Sequence, residues 1–200
     1  MSNKTIGPWQ VLREQSIYSN PWIEIVDHEV THPDGSPGQY GVVRFANLAI
    51  GVLPIDEEGM TWLVGQHRFP LDAYSWELPE GGGPLLDDPL VSAKRELKEE
   101  TGLTASQWAP LCEFDISNSV TDEKAMCFIA SGLTQGISAP EPSEKLTLRK
   151  VSLKELFNAV LVGDIRDSLT HMMVLTAYVK ARQGLLPPDV SRLITDAAQN

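Results

Sequence analysis

The chain has 200 residues, 42% of them hydrophobic and 22% charged, with 16 lysines and arginines set against 27 aspartates and glutamates. That length and balance describe one ordinary globular chain, large enough to bury a real core. The net charge of −11 argues against nucleic acid as the main partner, because a phosphate backbone asks for a basic face, yet it leaves room for phosphate chemistry carried by divalent metals.

The N-terminus, MSNKTIGPWQ, has no apolar signal region. Trp22–Val30 reads as a strand running into the turn Pro33-Asp34-Gly35, and Gln39–Phe45 resumes the β-rich pattern, which predicts a hairpin. Leu48–Leu53 and Thr61–Gln66 are further strands about the acidic turn Asp56-Glu57-Glu58-Gly59, and Ser75–Leu78 is a short strand that feeds Gly81-Gly82-Gly83. The stretch Leu48–Ile55 is the most apolar and far too short to span a bilayer. The period then changes. Asp88 and Pro89 make an N-cap and first-turn pair, Leu90, Ala93, Leu97 and Thr101 follow at spacings of three and four, and Gly102 closes a helix over 89–101. Phe114–Ile116, Ala125–Ala130 and Leu146–Val151 read as strands, and Lys154–Val162, Ser168–Arg182 and Asp189–Ala198 as helices. Without a regular βαβ alternation the expected class is α/β (α+β), a mixed-sheet sandwich and not a doubly wound sheet. Cys112 and Cys127 form neither a metal pair nor a disulfide framework, so reduced thiols in a cytoplasmic protein are expected.

His28-Glu29-Val30-Thr31-His32 matches the H-E-x-x-H zinc pattern, which works only on a helix, where both imidazoles share a face. This segment is β-branched and ends at Pro-Asp-Gly, and in a strand four residues span roughly 13 Å. The match is read as accidental, with two surface histidines on a hairpin strand.

On the 89–101 helix, Glu96 and Glu100 lie four apart on one face, and Glu99 borders it. Like charges at that spacing repel, a penalty that a bound divalent cation removes. Around them stand Gly81, Asp87, Arg95-Glu96-Leu97, Glu99-Glu100 and Gly102-Leu103, in register over 23 residues. This run resembles the Nudix box of the Nudix hydrolases, with Asp87 where the pattern has Glu. The resemblance implies an α/β/α sandwich, with an N-terminal β-hairpin extension as residues 1–45, for dimerisation and base binding, and a hydrolase domain as residues 46–200. It implies metal ligands at Glu96, Glu100 and Glu99 and at the backbone carbonyl of Glu80, holding Mg²⁺ with Mn²⁺ as the alternative, and Arg95 orienting a carboxylate beside them.

From Trp9 to Leu185 the chain looks like the ADP-ribose and nucleoside diphosphate sugar pyrophosphatases: Trp76-Glu77-Leu78-Pro79-Glu80-Gly81 is similar to that branch's E-L-P-A-G approach, with Glu80 in place of Ala. The resemblance implies substrate contacts from Arg68 to the phosphates, from Trp22 and Tyr40 around the base, from Arg44, and from Glu123, or Asp122 beside it, to the sugar. Trp22 and Tyr40 read equally as hairpin partners packed on each other, and Arg68 as a strand-end charge. A catalytic loop is implied at 136–145, with Glu144 as the base and Glu141 in reserve; a solvated proline-rich loop is the other reading. Asn118 stands where ADP-ribose enzymes often carry proline, which favours a broader enzyme acting on several nucleoside diphosphate sugars, as a homodimer. A dinucleoside polyphosphate hydrolase and a nucleotide-binding regulatory module are the alternatives.

Overall fold

In the computed structural model, residues 4–138 and 145–198 are described, and they divide by packing into two units. The first comprises residues 1–48 with 115–124 and is built on one antiparallel sheet: β1 (Lys4–Ile6), β2 (Trp9–Ser19), β3 (Ile23–Thr31) and β4 (Pro37–Phe45), in that spatial order. The expected hairpin is β3 and β4, with Ile25 opposite Val43 and His28 opposite Tyr40. β1 and β2 were not anticipated. WQVLREQSIYS mixes apolar and polar residues on both faces and is mostly exposed, so no alternation marks it as a strand; its pairing with β3 does.

The second unit, residues 49–114 with 125–200, carries two more sheets and four helices. One sheet has the order β8 (Glu80–Pro84), β5 (Asn47–Pro54), β10 (Lys124–Gln135), β9 (Leu103–Asp115), with β5 and β10 parallel. The other has the order β11 (Thr147–Ser152), β6 (Met60–Arg68), β7 (Ala73–Glu77), all antiparallel. The helices are α1 (Pro89–Thr101), α2 (Leu153–Val162), α3 (Ser168–Arg182) and α4 (Pro188–Ala197). β9 is far longer than the expected Phe114–Ile116, since Pro110 and the polar TASQ run hide its strand character.

Successive residues of β5 show how the layers form. A side chain on Gly51 would strike Met173 of α3, whereas Ile50 points to Gly83, the glycine that also lies under Ser92 of α1. Neighbouring strand residues face opposite ways, so α1 and α3 cover opposite faces of the sheet. Ile50, Val52 and Leu53 are buried between them with Ala93, Leu97, Met173 and Ala177. α1 begins and ends as its sequence dictates: the Asp88 side chain accepts from Leu90 N–H at 3.0 Å, and Gly102 sits at φ 75°, its N–H on the Lys98 carbonyl. α2 is closed at its start by a capping box between Ser152 and Glu155. Among the described residues no helix is long and apolar enough to cross a membrane.

Candidate active site

α1 presents Glu96, Glu99 and Glu100 along one edge, and the glycine strand β8 runs beside it. Glu96 and Glu100 are buried and Glu99 is half-buried. A Cβ on Gly81 would fall inside the Glu96 carboxylate, so only glycine lets β8 approach this closely. The Glu100 carboxylate accepts from the backbone N–H of Glu80 at 3.0 Å. One strand end is thus pinned against two box carboxylates at successive residues.

Arg95 holds the group together. Its guanidinium reaches Glu96 and Glu99 at 2.7 Å each and donates to the Gly82 carbonyl at 2.6 Å, and those carboxylates raise its pKa against the opposing effect of burial. Among the described residues the carboxylate partners of Arg95 are Glu96 and Glu99, whereas Asp87 enters a turn, its N–H on the Pro84 carbonyl.

A second acidic group, which no motif in the sequence marks, lies next to the first. Oxygens of Glu77, Glu80 and Asp167 all lie within 4.8 Å of one another. Arg68 binds Glu77 through Nε and Nη2 at 2.6–3.1 Å and Glu80 through Nη2 at 2.7 Å. Burial, with the Asp167 and Glu77 carboxylates beside it, holds the Glu80 carboxyl well above the usual carboxylate range. Its Oε2 is buried with no hydrogen-bond donor among the described residues, and the Asp167 carboxylate can satisfy it only through a shared proton or a cation. An orphaned carboxylate oxygen among hard oxygen donors fits a divalent ion of the Mg²⁺ type. The only sequence signal for this group was Glu80 standing in place of alanine; Asp167 comes from the start of α3, 87 residues further along, and needed the tertiary fold.

In the other unit, Tyr40 packs edge-on against Trp9, centroids 5.4 Å apart, and donates to the Ser119 carbonyl at 2.7 Å. Trp22 is 66% exposed, so the two are not packed on each other as hairpin partners. Arg44 pairs with Glu14 at 2.6 Å and lies 3.7 Å from Glu24. Asp122 accepts from Phe45 N–H at 2.8 Å, while burial and the Asp122 charge raise the Glu123 carboxyl. His28 is not a surface residue. It is 4% exposed, its ring nitrogen 3.0 Å from the Tyr40 carbonyl, because β3 turns Val26, His28 and Val30 to one buried face. His32 packs instead against Trp9, ring centroids 4.8 Å apart. Glu141 and Glu144 lie outside the described residues.

A NUDIX domain model matches residues 46–172, and the nucleoside diphosphate sugar hydrolase N-terminal domain matches residues 9–43. An ADP-ribose pyrophosphatase of Mycobacterium tuberculosis is 32% identical over 177 residues, covering 85% of this chain and 83% of the relative. A methanol dehydrogenase activator of Bacillus methanolicus is 28% identical over 178 residues, covering 88% and 95%. The crystal structure of an ADP compounds hydrolase superposes with a TM-score of 0.76 at 18% identity, over 92% of this chain and 100% of that one, and so shares the fold.

Proposed function

The chain belongs to the NUDIX family of hydrolases, with the nucleoside diphosphate sugar hydrolase N-terminal region ahead of the NUDIX domain, and from that premise we propose that it cleaves the diphosphate of nucleoside diphosphate sugars in a metal-dependent reaction. Water attacks one phosphorus, the bridging P–O bond breaks, and a nucleoside monophosphate and a sugar phosphate leave. The observation that carries the reading is the packing of β8 on α1, where Gly81 lies against Glu96 and Glu80 N–H meets Glu100.

Glu96, Glu100, Glu99 and the Glu80 backbone carbonyl would hold Mg²⁺, or Mn²⁺. Such an ion offsets the diphosphate charge and acidifies a water. Arg95 keeps Glu96 and Glu99 in place. Glu144, with Glu141 in reserve, takes the proton from the attacking water as a general base. Arg68 faces the phosphates, Trp22 and Tyr40 hold the base by stacking, Arg44 supports them, and Glu123 reaches the sugar. Residues 1–45 serve base binding and dimerisation and residues 46–200 the chemistry. Exposed Leu12, Ile17, Tyr18 and Trp22 in the N-terminal unit support a homodimer.

The test is a panel of ADP-ribose, GDP-mannose, UDP-glucose and dinucleoside polyphosphates, with Mg²⁺ and with EDTA, scored by product. Mg²⁺-dependent release of nucleoside monophosphate and sugar phosphate is expected. Turnover in EDTA, or cleavage of dinucleoside polyphosphates alone, would overturn the reading.

A further inference from the structure

A cavity of about 740 Å³ opens beside the second acidic group, within the size range of small-molecule sites. Arg68, Glu77 and Glu80 line one part of it, Tyr74 and Ser75 of β7 another, and Asp164, Arg166 and Asp167, from the loop between α2 and α3, a third. Glu80 ties the cavity to the box, since its N–H is the donor to Glu100.

The charges are not equally available. Arg68 spends Nε and Nη2 on two carboxylates, so its positive charge is already matched twice over. Asp167 Oδ2 caps α3 through Thr170 N–H at 2.6 Å. Arg166 is exposed on the cavity wall and, among the described residues, has no ion pair or hydrogen bond. A guanidinium in that position presents a planar fork of donors that matches a phosphate two bonds at a time. Asp164 and the hydroxyl of Ser75 offer acceptors, as sugar hydroxyls require.

We propose that this cavity binds the sugar phosphate half of the substrate and that Arg166 is the residue that takes its phosphate. The assignment rests on the hydrolase reading above and adds a residue and a subsite to it. It also explains how a cavity with an excess of carboxylates accepts an anion: of the two cations that line it, Arg68 is paired and Arg166 is not, and Arg166 stands on a loop whose ends are fixed by the C-cap of α2 at Gly163 and the N-cap of α3 at Asp167.

Calorimetric titration of the full chain with ribose 5-phosphate and, separately, with AMP tests this without relying on turnover. Wild type should bind both. Arg166→Ala should weaken ribose 5-phosphate by ~10–100-fold, the loss of charged hydrogen bonds, while AMP binds as before, and Arg166→Lys should restore only part. For nucleoside diphosphate sugars the loss should appear in KM. An Arg166→Ala protein that binds ribose 5-phosphate like wild type, a loss falling on AMP instead, or a wild type with no affinity for ribose 5-phosphate would overturn the assignment. Arg166-dependent binding in a wild type that hydrolyses no nucleoside diphosphate sugar would instead overturn the hydrolytic reading and leave the subsite standing.

Discussion

Glu96 and Glu100 are buried, which a carboxylate tolerates only with charge or hydrogen-bond partners, and each has one that belongs to the box: Arg95 for Glu96, Glu80 N–H for Glu100. Glu100→Gln keeps an acceptor for that N–H but loses the charge needed to hold a hard cation. It should fold like wild type and lose several orders of magnitude in kcat, read by steady-state kinetics beside a melting curve. The two cysteines differ just as sharply. Cys112, half-buried on β9, has its thiol pulled down by a hydrogen bond from Cys127, with Thr176 and Lys180 adding to the effect against burial. The same contact and burial push the Cys127 thiol up. The thiolate is the reactive form, so alkylation of Cys112 should reach half its limiting rate at a pH below 9.0, and Cys127 should stay unmodified in the folded protein. Equal labelling of both would contradict this.

At the scale of elements, the site depends on where α3 begins. Thr170, fully buried in its first turn, accepts the N–H of Leu78 at 2.9 Å, so α3 fixes the bend between β7 and β8 that delivers Glu77 and Glu80. Thr170→Val keeps the shape and orphans that N–H. It should cost ~1–3 kcal/mol, measured as a lower urea midpoint at unchanged m. α1 ends under a similar constraint. Gly102 has φ 75°, and a Cβ there would meet the backbone of residues 136–138 at 2.7–2.9 Å, so the helix stops where the next chain segment passes. The caps of α1 were legible in Asp88, Pro89 and Gly102 because capping is local chemistry. β2 was not, since WQVLREQSIYS owes its strand state to partners on β1 and β3.

At the scale of the molecule, apolar side chains remain on the surface of the N-terminal unit, with Ile17 59% and Tyr18 53% exposed. If they are the contact of a homodimer, the 22.0 kDa chain should sediment at twice its mass, and Ile17→Asp should shift it to monomer. A wild type that sediments as a single chain at micromolar concentration would remove the dimer.

The sequence by itself determined the parts whose physics is short-ranged. The spacing of Arg95, Glu96, Glu99 and Glu100 on a capped helix, and the glycines facing it, follow from 3.6 residues per turn and from the room a glycine leaves. The mixed architecture was legible too, in the change from strand period to helix period. Only the tertiary structure decided what lies beside that helix. Arg68, Glu80 and Asp167 are neighbours because the end of β6 and the starts of β8 and α3 meet at one place. His28 is buried by the face its strand presents. Arg166, silent in the sequence, stands on a cavity wall. Such contacts join residues tens of positions apart, and no local periodicity encodes which distant chain ends will meet.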